Sequence, residues 1–177
     1  ADGLAHTLTL RDGLVWHDGG PVTAEDCLAS IRRWAPRDAL GRELLARLET
    51  MSAVDARTME IHLTRPFPLL AMALARPLGT VPFMLPARLA ATPPDAAIAD
   101  ATGSGPYRYL PDEREGLFRA VYARHEGYRP RPEPLSLLAG GKVAGQGRVA
   151  FLYIPDLAIA TFELYGGTAK YWRTLES

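Results

Sequence analysis

The segment Arg33-Trp34-Ala35-Pro36-Arg37-Asp38 puts an aromatic ring, two guanidinium groups and a carboxylate on one short stretch, beside a proline that stops a helix. A carboxylate accepts an ammonium group, and an arginine forks onto a carboxylate with two parallel hydrogen bonds. Irregular segments of this kind are where binding residues concentrate. Trp34, Arg37 and Asp38 are therefore candidate ligand-binding residues. Arg76, at the Arg76-Pro77 break between two predicted elements, is a fourth. Each has a plainer reading: core packing for Trp34, solvated surface charge for the others.

Other reactive residue types point to less. Ser104 lies between Gly103 and Gly105, but a nucleophile elbow needs one more residue between each glycine and the serine. Pro106 follows directly, and the segment leads into a predicted strand rather than a helix. No Lys-Ser/Thr follows those glycines, so they are not a phosphate loop. Cys27 falls inside a predicted helix with no evident histidine partner and reads as a buried structural thiol. His6, His17, His62 and His125 show no ligand spacing with another His, Cys or carboxylate on one predicted helix. The sequence thus predicts no catalytic residue, no metal and no cofactor.

The elements that position these residues follow from periodicity and punctuation. Leu8, Leu10, Leu14 and Trp16 are apolar at even positions with polar residues between, the period of a half-buried strand. Asp12-Gly13 and Asp18-Gly19-Gly20 are turn pairs. Thr23 reads as a helix N-cap, with Asp26 closing a capping box. Cys27, Leu28, Ile31 and Trp34 give that helix its apolar face. A second helix is predicted from Asp38, its N-cap, to Glu49, with Leu40, Leu44, Leu45 and Leu48 as its stripe.

Ser52–Val54 and Thr58–Leu63 read as a hairpin around Asp55-Ala-Arg57. A short helix spans Leu69–Ala75, and Pro86 opens another. Tyr107–Leu110 and Leu117–Ala123 look like paired strands joined by a charged loop, Asp112–Gly116. The Pro- and Gly-rich stretch Tyr128–Gly147 is the best linker candidate. Val149–Ile154 reads as a buried strand. Leu157–Tyr165 reads as a helix stopped by Gly166-Gly167. Strands and helices mix without strict alternation, which predicts an α+β fold: a mixed sheet with packed helices.

Twenty basic and twenty acidic residues cancel in a chain of 177, so no basic surplus argues for nucleic acid. The lone cysteine excludes an internal disulfide. No apolar run is long enough to cross a membrane.

Four blocks carry a family resemblance. Leu8-Thr-Leu-Arg-Asp-Gly-Leu-Val-Trp-His-Asp-Gly-Gly-Pro-Val-Thr-Ala-Glu-Asp26 resembles a signature of extracytoplasmic solute-binding proteins of the peptide/nickel class, solute-binding family 5. These are receptor components of ABC importers. Gly103-Ser-Gly-Pro-Tyr-Arg-Tyr109, Tyr122-Ala-Arg-His-Glu-Gly-Tyr128 and Arg148-Val-Ala-Phe-Leu-Tyr-Ile-Pro-Asp156 resemble further blocks of that family, in the same order. Gly167-Thr-Ala-Lys-Tyr-Trp172 departs from the family pattern by replacing both of its acids.

The resemblance implies a type II periplasmic-binding-protein-like fold. It also implies an internal fragment, because the chain starts at Ala1 without an export signal and family members are longer. On this reading residues 1–141 are a smaller accessory domain. Residues 142–177 are a linker plus the first strand and helix returning to a main lobe. The implied function is capture of peptides or similar small polar solutes outside the cytoplasmic membrane, in the periplasm or anchored to its outer side, for delivery to a membrane permease. Two other classes compete: a non-binding structural or interaction domain, and a hydrolase using Ser104 or Cys27.

Overall fold

The computed structural model describes residues 2–76, 79–136, 139–156 and 159. Pro77, the body of the helix expected over Leu157–Tyr165, its Gly166-Gly167 stop and Gly167–Trp172 lie outside the described residues. The chain forms two compact units, Ala1–Arg108 with Arg124–Gly145, and Tyr109–Ala123 with Gln146–Ser177.

The first unit is a three-stranded antiparallel sheet with helices packed on it. Its strands are β1 (Ala5–Thr9), β2 (Leu48–Ala53) and β3 (Thr58–Leu63), in the order β1-β3-β2. Leu8 stands opposite Met59, and Met51 opposite Ile61. In the central strand Met59, Ile61 and Leu63 are buried while Thr58, Glu60 and His62 are half-buried, the two-residue alternation of a pleat with one face on a core.

Helix α1 (Ala24–Trp34) covers that face. The Thr23–Asp26 capping box is present in full: Thr23 Oγ1 accepts the Asp26 N–H at 3.2 Å, and Asp26 Oδ2 accepts the Thr23 N–H at 2.8 Å. Leu28 and Ile31 meet Trp16, Ile61 and Leu63 in one cluster of buried side chains. Each such side chain removed from water stabilises the fold by about 1.5–3 kcal/mol. A 3-10 turn over Ala35–Arg37, with Pro36 in its first positions, follows α1 directly.

Helix α2 (Ala39–Leu45) is shorter than its apolar stripe predicts. Leu48 and Glu49 lie in β2, not in the helix, and β2 starts four residues ahead of the expected Ser52. Pairing with β3 outweighs helix propensity: Leu48 sits opposite Leu63, and the Thr64 N–H reaches Arg47 O at 2.8 Å. Two further short helices, α3 (Leu70–Ala75) and α4 (Ala87–Ala90), fall where sequence placed them.

The second unit carries β4 (Tyr107–Glu115), β5 (Arg119–Arg124) and β6 (Arg148–Leu152), in that order, with β5 and β6 antiparallel. The charged stretch from Asp112 onward is strand rather than loop, because β4 runs on to Glu115 and the turn tightens to Gly116–Phe118. Exposed strand tolerates charge on its wet face. Val149–Ile154 is not a buried strand. Phe151 is 64% exposed, Tyr153 58% and Leu152 44%. The strand lies at the edge of its sheet, where an apolar run does not imply two covered faces. Tyr109, Tyr122 and Phe151 form a run of ring contacts across the three strands, with centroids 5.4 and 5.6 Å apart.

Candidate functional site

The segment after α1 is built around Asp38. Its Oδ1 accepts the backbone N–H groups of Leu40 at 2.9 Å and Gly41 at 3.2 Å, capping α2 as the sequence predicts. Its Oδ2 accepts Nη1 of Arg76 at 2.7 Å. Asp38 is only 6% exposed. Gly41 is required here: a Cβ at that position would lie 2.5 Å from the Ala35 backbone, so α2 and the 3-10 turn approach as closely as they do only with glycine.

Trp34 is also 6% exposed and packs in the core, with Nε1–H donated to Thr80 O at 2.7 Å. Arg76 and Thr80 thus dock the same segment onto Asp38 and Trp34. Gly79, at φ +81°, leaves room for the Arg76 guanidinium, whose Nη2 would lie 2.9 Å from a Cβ there. The structure brings Trp34, Asp38 and Arg76 together in this way, and it sends Arg37 elsewhere. Arg37 Nη1 donates to Pro94 O at 2.6 Å. Both Asp38 oxygens are occupied by groups of the chain itself.

Arg33 holds residues 92–96, where Arg37 also lands at Pro94. It donates to the carbonyl of Thr92, to Thr92 Oγ1 at 2.9 Å, to Pro93 O at 2.6 Å and to Ala96 O at 2.9 Å. One planar guanidinium with five N–H groups can satisfy several backbone carbonyls in this way, which an ammonium cannot. An open groove of about 370 Å³ lies alongside, lined by Ala29, Arg32, Arg33 and residues 90–94. Arg32 is committed too, donating to Met51 O at 2.6 Å.

Asp26 is a hub that sequence reasoning found only in part. Beyond the capping box, its Oδ2 accepts Trp16 Nε1–H at 3.2 Å and its Oδ1 accepts the Ala87 N–H at 2.6 Å. The local pattern Thr-x-x-Asp announces the cap. Nothing local announces partners ten and sixty-one positions away.

The Gly103–Pro106 turn meets His17. Gly103 N–H donates to Nδ1 of His17 at 3.2 Å, and Nε2 of His17 lies 3.1 Å from Gly105 O. These partners assign the neutral tautomer with the proton on Nε2. Both ring nitrogens are taken, so His17 has none left to receive a proton from the half-buried Ser104. Nearby, Arg88 joins Asp18 at 3.0 Å and Asp100 at 2.7 Å. Asp100 is held down to about 2, first by its hydrogen bonds to Thr102 and then by Arg88. Asp18 is lowered by the Gly20 N–H and by Arg88.

Cys27 is buried, and desolvation, helped by the Asp26 charge, pushes its thiol up to about 11. His6 approaches Gly3 O and His62 approaches Glu60, each at 3.1 Å. Among the described residues, no three His, Cys, Asp or Glu side chains cluster to hold a metal ion. No helix among them is long and apolar enough to cross a membrane.

Residues 1–176 match the family model described as bacterial extracellular solute-binding proteins, family 5 middle. A probable peptide ABC transporter periplasmic-binding protein, y4tO, from Sinorhizobium fredii is 41% identical over 166 residues, 92% of this chain and 31% of that protein. The structure is similar to NikA from Brucella suis in complex with Fe(III)-EDTA, with a TM-score of 0.70 at 19% identity, over 94% of this chain and 31% of that one. It is also similar to a putative peptide binding protein, AppA, from Clostridium difficile, with a TM-score of 0.68 at 19% identity, over 94% of this chain and 33% of that one. The chain spans about a third or less of the length of the curated relatives it matches, 31% of one and 21% of another. The α+β arrangement is therefore that of about a third of a periplasmic binding protein.

Proposed function

This chain belongs to family 5 of the bacterial extracellular solute-binding proteins, and from that premise we propose that it is part of a receptor capturing peptides or similar small polar solutes for an ABC importer. The observation that carries the reading is the 41% identity to a probable peptide-binding relative across 92% of the chain. The partners are then a peptide-like ligand and a membrane permease, and the place is outside the cytoplasmic membrane. The mechanism is lobe closure, a hinge equilibrium shifted by ligand that binds the closed form more tightly.

The protein acts by binding and not as an enzyme. In support, His17 is committed at both nitrogens beside Ser104, and the Cys27 thiol is buried and held protonated. We propose that residues 1–141 are the smaller accessory domain and 142–177 the linker and return to a main lobe. The Pro- and Gly-rich composition of the stretch before 147 supports that division. The surface that meets ligand or a neighbouring lobe is Arg33–Asp38 with Arg76; the segment expected to be irregular is the end of α1, the 3-10 turn and the α2 cap. In it Trp34, Asp38 and Arg76 hold the backbone together, and Arg37 presents charge.

Calorimetric titration with a pool of dipeptides to pentapeptides tests this. The whole protein carrying this sequence should bind at about micromolar affinity or tighter. This chain alone should bind weakly or not at all, since closed pockets bury about 70–90% of a ligand and one wall cannot. No peptide binding by the whole protein overturns the ligand class. Micromolar binding by this chain alone overturns the two-lobe mechanism.

A further inference from the structure

The His17 and His125 rings meet edge to face, with centroids 4.9 Å apart and planes at 69°. Together they enclose the Gly103–Pro106 turn. The His17 ring holds it through Gly103 N–H and Gly105 O, and the backbone N–H of His17 donates to Gly103 O at 2.8 Å. The backbone N–H of His125 donates to Pro106 O at 2.9 Å. Gly103–Pro106 come just before residue 109, where the chain enters its second unit, and His125 comes just after residue 123, where it returns.

Two features of this arrangement depend on neutral imidazoles. His17 Nδ1 accepts a proton-bearing amide, and a protonated ring would turn that acceptor into a donor pointing at Gly103 N–H. His125 Nε2 is buried and has no hydrogen-bond partner. In the charged ring that nitrogen must carry a hydrogen with nothing to receive it, a buried unsatisfied donor. Space is short as well: a Cβ on Gly127 would lie 3.0 Å from both His125 Cε1 and Val15 Cγ2.

We propose that His17 and His125 form an acid-sensitive clasp that holds the Gly103–Pro106 turn while both rings are neutral and releases it when either gains a proton.

The charges acting on His125 favour that behaviour. His17 and Arg108 each repel a charge on His125. Glu126 is the opposing group, and it is drawn off by Arg124 Nε at 2.9 Å. Asp18, on the turn that carries His17, shares the Arg88 guanidinium with Asp100. Burial first, then His17 and Arg108, place His125 below its ordinary value of 6.5. The sign follows from linkage. The folded form binds this proton less well than the unfolded form, so the contribution is complete above 6.5 and is lost as pH falls below it.

Amide exchange by NMR on this chain, corrected for intrinsic rates, is the test. Between about pH 7.5 and about pH 5, protection at Gly103, His17 and His125 should fall about tenfold, while Met59 and Ile61 in β3 hold theirs. The drop should coincide with titration of one of the two imidazoles. His125→Phe, which keeps a ring but cannot take a proton, should shrink it. Unchanged protection at the lower pH overturns the clasp, as does a loss shared equally by β3 or one that tracks neither imidazole. The wild-type measurement decides the question even where His125→Phe does not fold.

Discussion

Asp38 and Arg76 are thirty-eight positions apart in sequence and meet at 2.7 Å, one as the cap of a helix and the other as the root of a docked segment. The carboxylate serves two structures with its two oxygens. Substitution separates the two roles. Asp38→Ala removes the cap and leaves Arg76 unpaired, and should cost about 3 kcal/mol, the low end for breaking a buried pair. Asp38→Asn keeps a capping oxygen and should recover about 1 kcal/mol of that. Urea denaturation measures both. Equal losses would show that capping contributes nothing.

Asp26 should matter more than Thr23, although both belong to one capping box. Thr23→Ala should cost about 1 kcal/mol. Asp26→Ala leaves the N–H groups of Trp16, Thr23 and Ala87 without their acceptor and should cost roughly 3 kcal/mol. Denaturation midpoints of the two variants give the comparison, and a larger loss for Thr23→Ala would contradict it.

Arg33 clamps the 92–96 loop by geometry as well as charge. Arg33→Ala should raise hydrogen exchange and protease cutting within residues 92–96 and lower global stability by about 1 kcal/mol. Arg33→Lys should not restore protection, because one ammonium cannot span the carbonyls of Thr92, Pro93 and Ala96. Full rescue by lysine would reduce the clamp to a simple positive charge.

Asp100 predicts a separate acid transition. Its carboxyl is lowered from 3.8 to about 2, so its contribution is present above 3.8 and is lost as pH falls toward 2. Thermal unfolding followed over that range should show a slope that Asp100→Asn flattens. An identical slope in the variant would mean that the Thr102 and Arg88 bonds do not stabilise the fold.

The parts of the fold that were legible in sequence are those written locally. The Thr23 cap, the Asp38 cap, the Thr58–Leu63 strand and the Asp55–Arg57 turn each depend on neighbours in the chain. Long-range pairing overrode local propensity elsewhere. Leu48 continues a helical stripe, yet it belongs to β2 because Leu63 waits opposite. The apolar run from Val149 suggested burial on both faces, but an edge strand covers neither fully. Around the candidate site the residue types were visible and their partners were not. Arg37 and Asp38 are adjacent in sequence, and they reach toward Pro94 and Arg76 in opposite assignments that no spacing rule contains.

Cys27 is the chain's only thiol, lies 4% exposed and is pushed up to about 11 by burial. At neutral pH roughly one molecule in ten thousand carries the thiolate, and that one is walled off from solvent. The native chain is therefore a ready background for site-specific labelling. Ser52→Cys in the first unit and Leu117→Cys in the second, both at exposed positions, would accept paired spin labels or fluorophores. The distance between the two units then becomes a quantity that spectroscopy can follow in solution, with the native cysteine left in place.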